Sequence, residues 1–276
     1  MHELTQNRPL SAAAVVAHDG LAFAKADLQV LRRSPERLAL ASVQPVLILL
    51  FLVVLLGGSI EVPGQSYLEF LLPGVVLQSV LLLSATTAAS VAFARQSGTL
   101  QRYRVLPISL SSYFLGRAVS ECVITVLATG FLIITGVILG WRPHASPGQA
   151  LLSVVIILML SITSTLIGIA VGLLVSSTES AAQVAVLLTT PPAFLSTMMV
   201  TQEALPDWLQ PIVHYNPVST VLNLLRDALS GGKSLTVSHT WDAAYSTAWM
   251  LALVTLTVFL STSKLRQMST TVIGAN

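Results

Sequence analysis

Side chains able to do covalent chemistry are few and scattered in this 276-residue chain. His2, His18, His144, His214 and His239 share no ligand spacing, so no metal site is expected. Cys122 is the only cysteine, which excludes an internal disulfide framework and a cysteine-based zinc site. No Ser/His/Asp arrangement for nucleophilic catalysis is recognisable. Gly232-Lys233-Ser234 imitates the end of a phosphate-binding loop, but Asp227 occupies the position that needs the earlier glycine. The chain is expected to be no enzyme, and to bind no nucleotide, metal or cofactor itself.

Two charges remain conspicuous. Arg117 and Glu121 are four residues apart and share a helix face, as an intramembrane ion pair at one end of an apolar segment. A charge at the centre of a membrane helix costs about 2.5–3.5 kcal/mol on insertion scales, and pairing near the interface avoids much of that. A proton or substrate pathway is the alternative role for Glu121. Glu179, beside Ser176 and Ser177, is expected in a short turn.

The elements that must position these residues follow from composition. Charged residues are 9% of the chain and hydrophobic residues 54%, with a mean hydropathy of +0.79. A soluble domain carries about 25% charged residues. This balance excludes a cytosolic enzyme, a disordered chain and a nucleic-acid binder, and leaves an all-α polytopic membrane protein. Uncharged windows run 38–60, 70–94, 122–141, 143–178, 180–202 and 243–263. A crossing needs about 20 apolar residues. The fourth window opens on a loop-like Pro143, His144, Ser146, Pro147 and Gly148, so its span is placed near 150–175. Six transmembrane helices are expected, in one transmembrane domain over 1–276. Barrel strands are excluded because runs such as Val46–Leu56 are apolar on every side.

Lysine and arginine set the orientation. With six spans, both termini share a side. That side holds Arg8, Lys25, Arg32, Arg33, Arg37, Arg95, Arg102, Arg104, Arg117, Lys264 and Arg266, and the other holds Arg142, Arg226 and Lys233. Both termini are therefore expected in the cytoplasm, in a multi-pass protein of the cytoplasmic membrane.

Three segments lie between or before the spans. Residues 14–36 read as an interfacial amphipathic helix with Leu21, Ala24, Leu28 and Leu31 on one face. Residues 96–107 read as a short cytoplasmic helix capped by Ser97 or Thr99 and ended by Pro107. Its Leu100, Tyr103 and Leu106 recur every third residue, leaving Gln101, Arg102 and Arg104 outward. Residues 203–240 read as two short helices joined near Asn216-Pro217, dipping into the outer leaflet, with Trp208 and Tyr215 at headgroup depth. Within the spans, Gly168 and Gly172, and Gly136 and Gly140, form Gly-x-x-x-Gly pairs that allow close helix approach. Pro191-Pro192 is expected to bend the fifth span.

The stretch Leu205-Pro206-Asp207-Trp208-Leu209-Gln210-Pro211-Ile212, then Asn216-Pro217-Val218 and Arg226, resembles the C-terminal signature of permease subunits of type-2 ABC exporters. The branch typified by the daunorubicin exporter membrane subunit is nearest. Gly98-Thr99-Leu100 with Pro107 is similar to that family's first cytoplasmic loop. Gln101 stands where the family often has an acidic residue, and Arg95-Gln96-Ser97 stands where acids commonly precede the glycine.

The resemblance implies a transmembrane subunit that moves an amphipathic drug-like or lipid-like substrate outward while a separate ATPase subunit hydrolyses ATP. It implies a second permease subunit, in a homo- or heterodimer, and contact with membrane lipid. The ATPase would couple through Gly98, Thr99, Leu100, Arg102, Tyr103, Arg104 and Pro107. The outer gate hairpin would use Pro206, Trp208, Leu209, Asn216, Pro217 and Arg226. Export of a lipid or lipid-linked glycan is the alternative within the family. An ion-coupled secondary transporter is the alternative of another class, and it lacks that class's usual mark, charges buried mid-span.

Overall fold

A computed structural model describes residues 12–33, 35–58, 62, 65–100, 102, 110–198, 202, 205–230 and 239–273. Nine helices are described: α1 (Ala12–Arg33), α2 (Pro35–Leu56), α3 (Tyr67–Gln96), α4 (Leu110–Ile138), α5 (Pro147–Leu174), α6 (Thr178–Phe194), α7 (Gln210–His214), α8 (Pro217–Ser230) and α9 (His239–Ile273). Among the described residues the only extended pairing is an isolated bridge between Val62 and Gln65.

Local chemistry sets the helix ends. Ser66 and Glu69 form a capping box at the start of α3, and Ser146 and Gln149 form one at the start of α5, where Pro147 adds a preset φ. Ser177 caps α6 by accepting from the Ser180 amide at 3.0 Å. Gly98 (φ 73°) and Gly140 (φ 104°) take the left-handed conformation just past α3 and α4, where a side chain would be strained.

Among the described residues, four helices are long and apolar enough to cross a membrane: α3, α4 over Ser112–Ile138, α5, and α9 over Trp241–Lys264. Where the first and fifth spans were expected, the helices are shorter. Helix α2 runs Pro35–Leu56, is uncharged from Leu38 on, and ends at Gly57-Gly58. Helix α6 has 17 residues, because Pro191 and Pro192 fall in its last turn and the chain leaves the helix after Phe194. Prolines contribute no amide to the ladder, so the uncharged window to 202 does not translate into helix length.

Helix α3 is the hub and touches α2, α4, α5, α6 and α8. Its closest partner is α5. A Cβ on Gly168 would lie 2.5 Å from the Ser84 carbonyl oxygen, and one on Gly172 would lie 2.6 Å from that of Ala88. One turn earlier, Ser164 Oγ donates to the Val80 carbonyl at 2.8 Å. Ser164, Gly168 and Gly172 thus form one small-residue seam that lets two backbones meet. The second glycine pair does not work this way. Gly136 rests against Leu72, whereas Gly140 ends α4 with open space where its side chain would be.

Helix α1 lies along α4. Gly116 admits Phe23 and the backbone of Gly20, and Phe23 meets Tyr113 edge-on at 5.8 Å. The buried face of α1 therefore runs through Gly20, Phe23, Ala24 and Asp27. Leu21, expected on that face, is 55% exposed. Amphipathic periodicity located the helix but not the rotation that a glycine contact selects. Helix α9 packs on α5 and α8 and leaves most of its apolar surface outward.

Candidate functional site

Three polar clusters interrupt the apolar bundle. The first joins the two connections at one end. Past α3, Ser97 Oγ meets Thr99 Oγ1 at 2.9 Å, and the Arg102 amide donates to the Gly98 carbonyl at 3.0 Å, closing a helical turn. Arg95 Nη1 donates to the carbonyls of Leu173 and Val175, which end α5. Gln96 Nε2 donates to the Ser176 carbonyl at 2.6 Å, and Thr178 Oγ1 donates back to Gln96 Oε1 at 3.2 Å. A cation and an amide thus satisfy orphan carbonyls of a helix C-terminus. The described start of the α3–α4 connection and the α5–α6 turn become one surface, on which Arg102 and Glu179 are exposed.

Leu100 does not join that surface. It is 1% exposed and packs with Val91, Ala94, Ile169 and Leu173. Of the expected coupling residues, Gly98, Thr99, Leu100 and Arg102 are placed; Tyr103, Arg104 and Pro107 lie outside the described residues. Arg95 and Gln96 thus bind the neighbouring turn.

The second cluster surrounds Glu121. Arg117 Nη2 stands 2.6 Å from Glu121 Oε1, the i,i+4 geometry expected from spacing. Thr87 Oγ1 of α3 donates to the same oxygen at 3.1 Å. Arg117 Nη1 reaches Asp27 Oδ2 of α1 at 3.4 Å. The Arg117 side chain is 6% exposed and that of Glu121 1%, so this is a buried pair rather than a solvated interfacial one. Sequence reasoning missed Asp27 and Thr87, since only the packing of α1 and α3 on α4 brings them in.

The third cluster lies at the opposite end of α3, where α8 meets the end of α6. Asn216 caps α8, its Oδ1 accepting from the Val218 amide at 2.9 Å. Its Nδ2 donates to the carbonyls of Pro192 and Leu195 at 2.6 and 2.8 Å. Ten residues on, Arg226 is buried with no carboxylate among the described residues in contact. Nε donates to the Phe70 carbonyl at 3.1 Å, Nη1 to Thr197 Oγ1 at 3.1 Å, and Nη2 to the Thr197 and Met198 carbonyls at 2.6 and 3.3 Å. The guanidinium lies 3.7 Å from the centroid of the Phe70 ring. Burial pulls its pKa down to about 9, which leaves the cation in place at neutral pH. The planar fork answers several carbonyls at once, Phe70 in the first turn of α3 and Thr197 and Met198 in the turn that follows α6. Trp208, by contrast, is 72% exposed and takes no part in this clamp; Pro206 is also exposed, Leu209 precedes α7 and Pro217 begins α8.

All three clusters fall within residues 20–229, the region matched by the model of the ABC-2 type transporter family. The chain belongs to this family. ABC-2 type relatives include a daunorubicin resistance ABC transporter permease of Streptomyces coeruleorubidus, 26% identical over 81% of this chain and 78% of that protein. A probable doxorubicin resistance ABC transporter permease of Mycobacterium tuberculosis is 28% identical over 71% of each chain. Nodulation protein J of Azorhizobium caulinodans is 29% identical over 75% of this chain and 82% of its own length. The ABC-2 match stops at the end of α8, so it covers the hub helix α3 and all three polar clusters and ends before α9.

Proposed function

We propose that the chain is the transmembrane subunit of an ATP-driven exporter that moves an amphipathic drug-like or lipid-like substrate outward across the cytoplasmic membrane. The observation that carries this reading is the family match across all three clusters, with drug-resistance permeases among the relatives. ATP is hydrolysed by a separate subunit that docks on the surface built by Thr99, Arg102 and the Thr178–Glu179 turn. Because Arg95 and Gln96 tie that surface to the ends of both α3 and α5, a push on it is delivered to the hub helix and its closest neighbour together. A second permease subunit completes the pathway, and α2 and α6 complete six crossings. At the far end, Asn216 and Arg226 hold the hairpin of α7 and α8 on the end of α6 as an outer seal.

Co-expression with a cognate ABC ATPase should yield a complex that takes up a fluorescent amphipathic drug into inverted vesicles only with ATP. The chain alone should hydrolyse none. Uptake driven by an ion gradient without ATP would replace this reading with a secondary transporter.

Topology gives a second expected result. In a Cys122→Ser background, cysteines at Ser97 and at Asp207 should react with an impermeant maleimide from opposite faces of the membrane. Both positions are exposed, so access is not limited by packing. Labelling from one face only would remove the six-span arrangement.

A further inference from the structure

Among the described residues, a cavity of about 490 Å³ is lined by α4, α5 and the loop that joins them, with Leu72 and Val76 of α3 and Leu229 near the end of α8. Left-handed Gly140 turns the chain at the end of α4 so that Trp141 folds back into the bundle. The Trp141 amide donates to the Gly136 carbonyl at 2.9 Å, and its side chain, only 5% exposed, lines the cavity. Val126 of α4 and Val154 of α5 also line it and are exposed, so the cavity reaches the outer surface of the bundle.

The interior offers hydrocarbon to a guest. Ser153 Oγ already donates to the Gln149 carbonyl at 2.8 Å, and Thr129 Oγ1 is itself buried out of reach. At the loop end the chemistry changes. A buried indole N–H usually finds an acceptor. That of Trp141 makes no hydrogen bond among the described residues. The next residue, Arg142, is exposed and makes no ion pair among them. A free donor and a free cation on adjacent residues thus stand at one end of an apolar cavity.

We infer that this cavity holds one acyl chain of a resident phospholipid, with an ester oxygen accepting from the Trp141 indole and the phosphate beside Arg142. The size fits one chain. A protein cavity of about 150 Å³ takes the six carbons of benzene, so about 490 Å³ takes roughly twenty, too few for two chains. Arginine suits the head group, because its hydrogen bonds to phosphate are charge-assisted. The chain would fill the space between α5 and Leu229, and so support the helix that carries the Arg226 clamp. This lipid is a fixture and not cargo, and its binding needs neither ATP nor a partner subunit.

Gly130 offers a block that spares the fold. It lines the cavity, a Cβ there would meet nothing within 4 Å, and glycine is the weaker helix former, so Gly130→Phe should fold. The full chain, delipidated in maltoside micelles, would be titrated with dioleoylphosphatidylglycerol and the bound lipid counted by native mass spectrometry. Oleoyl-lysophosphatidylglycerol, with a single chain, should bind within about threefold of it. Dioleoylglycerol, without phosphate, and dihexanoylphosphatidylglycerol, with short chains, should each bind about tenfold or more weakly. Gly130→Phe should abolish the tight site. Arg142→Gln should weaken phosphatidylglycerol about fivefold and leave dioleoylglycerol unchanged. Trp141→Phe, which keeps a ring and deletes the N–H, should weaken all three glycerol esters with long chains about threefold. Equal binding of the four lipids, or unchanged binding in monodisperse Gly130→Phe and Arg142→Gln chains, would overturn the site. Release of the lipid when ATP is added to a complex with the ATPase would make it cargo and overturn its residence. Tight lipid binding without ATP-driven drug uptake would instead retain the site and reject the exporter.

Discussion

Arg226→Met is expected to lower the melting temperature of the purified chain by about 10 °C, a loss of about 3–5 kcal/mol. Methionine fills much of the same volume but donates nothing. The Phe70, Thr197 and Met198 carbonyls and Thr197 Oγ1 would lose their partner in a buried place, at about 1–3 kcal/mol for each group left unsatisfied. The stack on Phe70 would go as well. Arg226→Lys should lose somewhat less, since an ammonium keeps the charge but cannot answer carbonyls from two helices with one rigid fork. Trp208→Ala, at a side chain 72% exposed, should stay within about 0.5 kcal/mol of the parent. Thermal shift followed by size-exclusion chromatography reads all three. An Arg226→Met chain that melts within 2 °C (about 0.5–1 kcal/mol) of the parent would show that the clamp carries no net stability.

Leu100→Asp is expected to prevent the chain from folding even when no ATPase is present. The side chain sits among Val91, Ala94, Ile169 and Leu173, and a carboxylate there costs about 4 kcal/mol or more. Arg102→Glu, on the exposed turn, should leave the isolated chain monodisperse and weaken ATPase co-purification, since it reverses a charge on the proposed docking surface. The pair of variants separates two roles that a loss of transport alone would merge. A well-folded Leu100→Asp chain that merely fails to bind the ATPase would place Leu100 at the partner interface and undo the packing described for it.

The clamp and the loop differ in how they could have been read from sequence. Asn216-Pro217 announces itself, because an Asx cap followed by proline starts a helix on local grounds, and α8 begins there. The spacing of Arg117 and Glu121 is equally local, and the ion pair follows from helix geometry alone. Arg226 carried no such signal. It entered as one cation among three on its side of the chain and, through the family resemblance, as a hairpin residue; its burial depends on α8 lying across the end of α6 and the start of α3. Arg95 and Gln96 looked like departures from a loop pattern until the end of α5 came within reach of them.

What the sequence determined by itself is what depends on composition and on near neighbours along the chain. A chain with 9% charged residues and long uncharged windows has to satisfy its backbone within helices, so the all-α membrane class follows without any contact being known. Capping boxes at Ser66 and Ser146 and left-handed Gly98 and Gly140, local features too, mark ends of α3, α4 and α5 in the structure. Only the tertiary structure decided which face of each helix turns inward. Apolar residues cover every side of these helices, so periodicity does not mark the buried side, as it does in water. The choice falls to close approach: Gly168 and Gly172 against α3, and Gly116 against α1. Those contacts in turn bring Asp27 and Thr87 to the Arg117–Glu121 pair.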